Sequence, residues 1–146
     1  MSIQGLLTYL ADAITEYGVR VGLEWLVDYQ EEERSTQVST SDRHVVTIRP
    51  LSVVFARELE PLASDTGGAT HYVVVLEFVA FAQKRATPLQ GYDEILNLYR
   101  FLQSSGMRRG GNVYLTTEEV SPVEYTQEAG QVIGTWQQRY HLRFAR

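Results

Sequence analysis

Three histidines, His44, His71 and His141, together with Asp42 and Glu77, the nearest carboxylates along the chain, are the residues whose chemistry could build a metal centre or an acid–base pair. Imidazole and carboxylate are common zinc ligands, and histidine is the side chain that titrates near neutral pH. Their spacing does not join them. No HExxH-type or i, i+4 pattern fixes even two ligands together, and each histidine falls in or beside a stretch that reads as a strand. Surface or edge-strand histidines are the plainer reading. Serine and threonine are plentiful, but no GxSxG elbow presents one as a nucleophile. The segment 106–112, GMRRGGN, could offer backbone donors and two forked cations, Arg108 and Arg109, to an anion. It lacks the lysine and hydroxyl of a Walker loop, so a helix-to-strand turn or a protein-contact loop fits it better. Glu31, Glu32 and Glu33 read as a solvated face, or more sharply as a contact or the wall of an acidic lumen past which DNA slides by like-charge repulsion. The expectation is a chain with no catalytic residue, no metal ligand and no cofactor.

Composition points the same way. The chain has 146 residues, a net charge of -5 and no cysteine. That length suits one domain burying roughly 68 to 70% of its unfolded surface. Without cysteine there is no disulfide framework, thiol nucleophile or thiolate metal site. The acidic balance opposes tight sequence-independent DNA binding, which needs many cationic phosphate contacts. The start of the chain has no basic, apolar leader pattern and no stretch is long enough to span a bilayer, so a soluble protein without a signal peptide is expected. Lys84 is the only lysine beside twelve arginines, and there are nine tyrosines. Arginine, tyrosine and tryptophan are enriched at protein interfaces.

The elements that must position these residues are organised around 71–83, HYVVVLEFVAFAQ. Apolar bulk occupies both parities, with only Glu77 interrupting, as in a central strand buried on both faces. Before it, Ser2 caps a helix whose stripe is Ile3, Leu7, Leu10, Ile14 and Tyr17, with Gly18 as its stop. A half-buried strand follows through Val21, Leu23, Trp25, Val27 and Tyr29. Residues 30–43 form a polar loop. The stretch from His44 to Arg57 is a strand in which Pro50 marks a bulge, break or edge. The glycines of 63–70 turn it back into the central strand. Thr87 and Pro88 then open a second helix with Leu89, Tyr92, Leu96, Tyr99 and Leu102 or Gln103 as its stripe, ending at Gly106. A short strand spans Val113 to Glu118. Residues 121–134 are either a third helix capped at Ser121 or, preferred because Gly130 and Gly134 would weaken a helix, a hairpin arm. The last strand alternates Trp136, Gln138, Tyr140, Leu142 and Phe144 against Gln137, Arg139, His141 and Arg143. The whole, residues 1–146, reads as one α+β domain: an antiparallel or mixed sheet of about five strands with two main helices packed on it.

Two apolar faces need two covering layers, and two helices supply one; the missing layer could be another copy. In element order and size, the first helix, the strand block HVVTIRPLSVVF, the apolar central strand, the helix TPLQGYDEILNLYRFLQSSG and the closing strand resemble the tail terminator proteins of tailed bacteriophages. The resemblance implies a structural virion protein, assembled in the host cytoplasm, that forms a ring, typically a hexamer, on the head-proximal end of the tail tube. Its partners would be itself, the tail tube protein and a neck, connector or stopper protein, with DNA as passing cargo and no membrane. The interface residues expected on this view are Arg108, Arg109, Tyr125, Trp136 and Tyr140. One rival stays in virion assembly, as another neck, tail-completion or baseplate component. The other is a small enzyme or ligand-binding domain of hot-dog or cone-shaped isomerase type, in which the second apolar face lines a pocket.

Overall fold

A computed structural model describes residues 3–29, 43–55, 69–85, 88–103 and 113–145. The order is α1 (Ile3–Val21), β1 (Trp25–Tyr29), β2 (His44–Phe55), β3 (Ala69–Phe81), α2 (Leu89–Gln103), β4 (Val113–Glu128) and β5 (Gln131–Ala145). The five strands form one mixed sheet in the order β1-β2-β3-β5-β4. Only β1 and β2 run parallel; every other pairing is antiparallel. The apolar segment read as central is the third of five strands, and β5 pairs with it from Ala69↔Ala145 to Phe81↔Ile133. The domain is α+β, with both helices packed on this sheet.

Alternation along β3 decides where the core lies. Val74, Leu76, Phe78 and Ala80 are fully buried and share one cluster with Val46 and Ile48 of β2 and Trp136, Tyr140 and Leu142 of β5. Leu6, Leu10 and Ile14 of α1 and Ile95, Leu98 and Leu102 of α2 belong to the same cluster, so both helices lie on one face of the sheet. The intervening residues, Val73, Val75, Glu77, Val79 and Phe81, stay half-exposed. The expectation of a strand sealed on both faces therefore holds for one face only within a single chain.

Helix α1 runs four residues past its expected stop. Its end is a Schellman motif in which the Leu23 N–H donates to the Gly18 carbonyl at 2.9 Å and the Gly22 N–H to that of Val19 at 3.4 Å. Gly22, with φ of 78°, is the left-handed residue. Gly18 is instead a buried helical position where a Cβ would collide with the Leu23 carbonyl. The following strand accordingly starts at Trp25, and Val21, assigned to it by alternation, is an exposed helical residue.

In α2 the buried residues are Gly91, Glu94, Ile95, Leu98 and Leu102. The stripe expected through Leu89 and Leu96 is thus rotated: Leu89 is 77% exposed and Leu96 half-buried. A glycine and a glutamate on the true inner face hid the period from a count of apolar residues.

Residues 121–134 are the hairpin and not a helix. β4 pairs with β5 from Val113↔Phe144 to Glu128↔Gln131, with register shifts on either side of Ser121. On β2, a shift between Pro50 and Ser52 leaves Leu51 outside the register, which makes the proline the mark of a bulge. Ala129 and Gly130, with φ of 50° and 84°, join β4 to β5 in the geometry of a type I′ turn. An alanine there sits in a region that disfavours L-residues by roughly 1 to 2 kcal/mol. Ala129→Asn is expected to raise stability by about 0.5 to 1 kcal/mol, measured as a higher urea midpoint at unchanged slope. The polar loop read at 30–43 lies outside the described residues except for Arg43.

Candidate interaction face of the sheet

The face of the sheet opposite the helices carries the residues left over from the core. Reading across it, Arg49 pairs in register with Glu77 and Glu77 with Gln137, and the next rows join Ser52 to Val75 to Arg139 and Thr47 to Val79 to Thr135. Down its middle run Val73, Val75, Val79 and Phe81, with Ile133 beside Phe81. All are half-exposed, while Val45 and Thr47, next to β1, are buried. No described helix lies on this face. It is an apolar column crossed by charge pairs, the pattern of a contact surface with a polar rim.

Those pairs come from strand register. The Arg49 guanidinium donates to Glu77 Oε1 at 2.9 Å. Glu118 Oε1 accepts from Arg139 at 3.0 Å and lies 3.0 Å from His141 Nε2. Hydrogen bonding by His141, then by Arg139, holds the Glu118 carboxyl below its ordinary range. Glu118 is exposed, so the cluster ties β4 to β5 only weakly at ordinary salt.

Polar chemistry on the helix side is closed. His44, at the start of β2, places Nε2 2.8 Å from Glu94 Oε1 on α2. Arg85, just after β3, grips the same carboxylate with both arms of its fork, at 2.6 and 2.8 Å. The side chains of His44 and Glu94 are 5% and 9% exposed. The Trp25 ring meets that of His44 edge-on at 5.0 Å. Burial pushes the Glu94 carboxyl up, but hydrogen bonds and charge from Arg85 and His44 outweigh it and hold it below its ordinary value. The group clamps three elements together, and its hydrogen-bonding capacity is turned inward. A second inward network centres on Gln138, which is fully buried. Its amide donates to the Leu102 carbonyl at 2.8 Å, completing the end of α2, and its carbonyl accepts from Trp136 Nε1 at 3.1 Å.

The histidines therefore do not converge: His44 lies with the core, His141 belongs to the opposite face, and the side chain of His71 and the whole of Asp42 lie outside the described residues. Among the described residues no group of three or more histidines, cysteines or carboxylates could hold a metal ion. Nor is any described helix long and apolar enough to cross a membrane.

Two of the expected interface residues need correction. Trp136 is 1% exposed and Tyr140 fully buried. Trp136 stacks on Phe78 at 5.2 Å and meets Tyr99 edge-on at 5.4 Å, so both aromatics hold the helices to the sheet and neither is available to a neighbour. The alternation of β5 was plain, but not which face its helices cover. Tyr125 is half-buried against Tyr92, with its hydroxyl 3.3 Å from the Tyr92 carbonyl. Arg108 and Arg109 lie outside the described residues. The residues missed were Arg49, Glu118 and Arg139, and Glu77 was read only as a carboxylate near the histidines and an interruption of the central strand; the signal was polar residues at the outward parity of the strands. Neither family models nor curated proteins provide a match to this chain.

Proposed function

We propose that this chain is a structural virion protein that closes into a ring on the end of a phage tail tube and joins the tube to the neck. The observation that carries the reading is an unfinished sheet, with both helices on one face and the other face half-exposed along the most apolar strand of the chain. A subunit whose described residues leave one sheet face without a helix and sheet edges without a paired strand gains most by placing copies of itself, and then the tube and neck, against them. Termination needs no covalent chemistry. One surface of the ring repeats the contact that the next tube subunit would make, and the opposite surface presents something different, so polymerisation stops and a neck or stopper protein docks. A net charge of -5 suits a ring that passes DNA without holding it.

The convergent polar groups that an enzyme reading would seek, His44, Glu94 and Arg85, are engaged with one another, with His44 and Glu94 buried and only Arg85 partly exposed. Electron microscopy of tails assembled with and without the protein tests the proposal. Tubes of uncontrolled length are expected in its absence. Tails of normal length lacking only their neck or baseplate would assign it instead to another completion step.

A further inference from the structure

Among the described residues, the two outer edges of the sheet are protected at one end and unpaired at the other. At the protected end, β1 covers β2 from His44 to Ile48, and β4 carries exposed Glu118, Glu119, Glu124 and Glu128, Pro122 and two register shifts. Charges, proline and bulges are the devices that keep strand edges from pairing. At the other end charge and proline are missing, and the bulge at Leu51 lies at the boundary with the protected part. Beyond Ile48 no described strand pairs with the outer side of β2, and its segment Leu51–Phe55, LSVVF, holds no charge. Leu51, Val53 and Val54 are 40%, 49% and 53% exposed. On the opposite edge the first five residues of β4, Val113–Thr117, VYLTT, are likewise uncharged and free of proline.

Three rows of the sheet hold residues of both segments, joining Val53–Phe55 to Leu115–Thr117. Val54 is in register with Val73, Val73 with His141 and His141 with Thr116; one row on, Phe55, Tyr72, Leu142 and Leu115 line up in the same way. Three antiparallel steps separate β2 from β4, so the two edges run in opposite directions. A neighbour set beside the part of β2 beyond β1, and turned so that the rest of its β4 passes clear of β1, thus brings its β4 antiparallel to this β2, with Leu115–Thr117 facing Val53–Phe55 and Glu118 facing Ser52. Slipping the register toward the protected end would set glutamates and a bulge against the valines.

We propose that neighbouring copies join edge to edge, Val53–Phe55 of one pairing with Leu115–Thr117 of the next, so that one sheet continues from subunit to subunit. This rests on the ring reading and names its contact. Every copy uses each edge once, which is the heterologous arrangement that closes a ring. The described helices then lie on one side of the continuous sheet and the half-exposed faces on the other.

The absence of native cysteine makes the contact directly testable. Purified Ser52→Cys/Thr116→Cys and Val54→Cys/Thr116→Cys double variants, oxidised and run on a denaturing gel, are expected to give a ladder of covalent multimers from at least one pair. Each single variant should stay monomeric on the gel. Dimers from Ser52→Cys alone would mean that like edges meet and would overturn the proposal. A closed ring by native mass with no ladder from either double variant would overturn the edge contact and leave the ring reading standing, whereas a monomer at high concentration, with isolated tail tubes present as without them, would remove both. In a second arm, Val54→Lys places a charge on the open edge at a position outside the core. It is expected to yield folded monomers with an unchanged circular dichroism spectrum, and a ring that survives this change would contradict the pairing.

Discussion

Truncating Phe78 to alanine is expected to cost about 3 to 5 kcal/mol, the range for deleting a buried phenylalanine. The site leaves little room for relief. Phe78 is fully buried at the middle of the central strand, stacked parallel on Trp136 at 5.2 Å and tilted against Tyr140 at 6.4 Å. Trp136 in turn touches Tyr99 of α2, so the void would open between sheet and helix. Thermal unfolding should shift down by roughly 10 °C or more for a domain of this size. Val75→Ala, three residues earlier on the half-exposed face, provides the contrast: as a single chain it should lose about 1 kcal/mol or less. Equal losses at the two positions would contradict the assignment of the core to one face.

The second large effect is expected at Glu94. Replacing it with alanine leaves His44 buried without its partner and removes both ends of the Arg85 fork. Breaking one side of a buried ion pair typically costs 3 to 5 kcal/mol. Here about 3 is expected, because Arg85 is 23% exposed and can turn toward water. The pH dependence has a definite sign. The Glu94 carboxyl is held below its ordinary value in the folded chain, so its contribution is fully present above the ordinary carboxylate range and is lost as pH falls through the lower, folded value. Urea unfolding between neutral and acid pH should show this loss in the natural sequence and a shallower acid limb in Glu94→Gln. An unchanged acid limb would mean that the clamp contributes nothing.

The parts of the fold that could be read from the sequence were those encoded by local pattern. The apolar run of β3 needed no partner to announce itself, and Glu128-Ala129-Gly130 with two glycines nearby favoured the hairpin over a capped helix. The end of α1 was misplaced because Gly18 and Gly22 are equally plausible stops. Only the packing of Leu23 back over the helix shows that one serves close approach and the other positive φ. The inner face of α2 was hidden because Gly91 and Glu94 hold core positions, the glutamate only by virtue of His44, 50 residues away along the chain. The same limit governed the interface. Trp136 and Tyr140 have the right composition for a contact surface, but composition cannot say which face of a strand the helices take. The register that aligns Val53–Phe55 with Leu115–Thr117 across three pairings is likewise a property of the folded sheet.

Native mass spectrometry of the purified protein over a range of concentrations bears most directly on whether the surface that one chain leaves bare is taken up by its copies. A closed multimer, with a hexamer as the expected size, would agree with a sheet completed between subunits. A particle that remains a single 16.6 kDa chain at high concentration, and still does so with isolated tail tubes present, would contradict it.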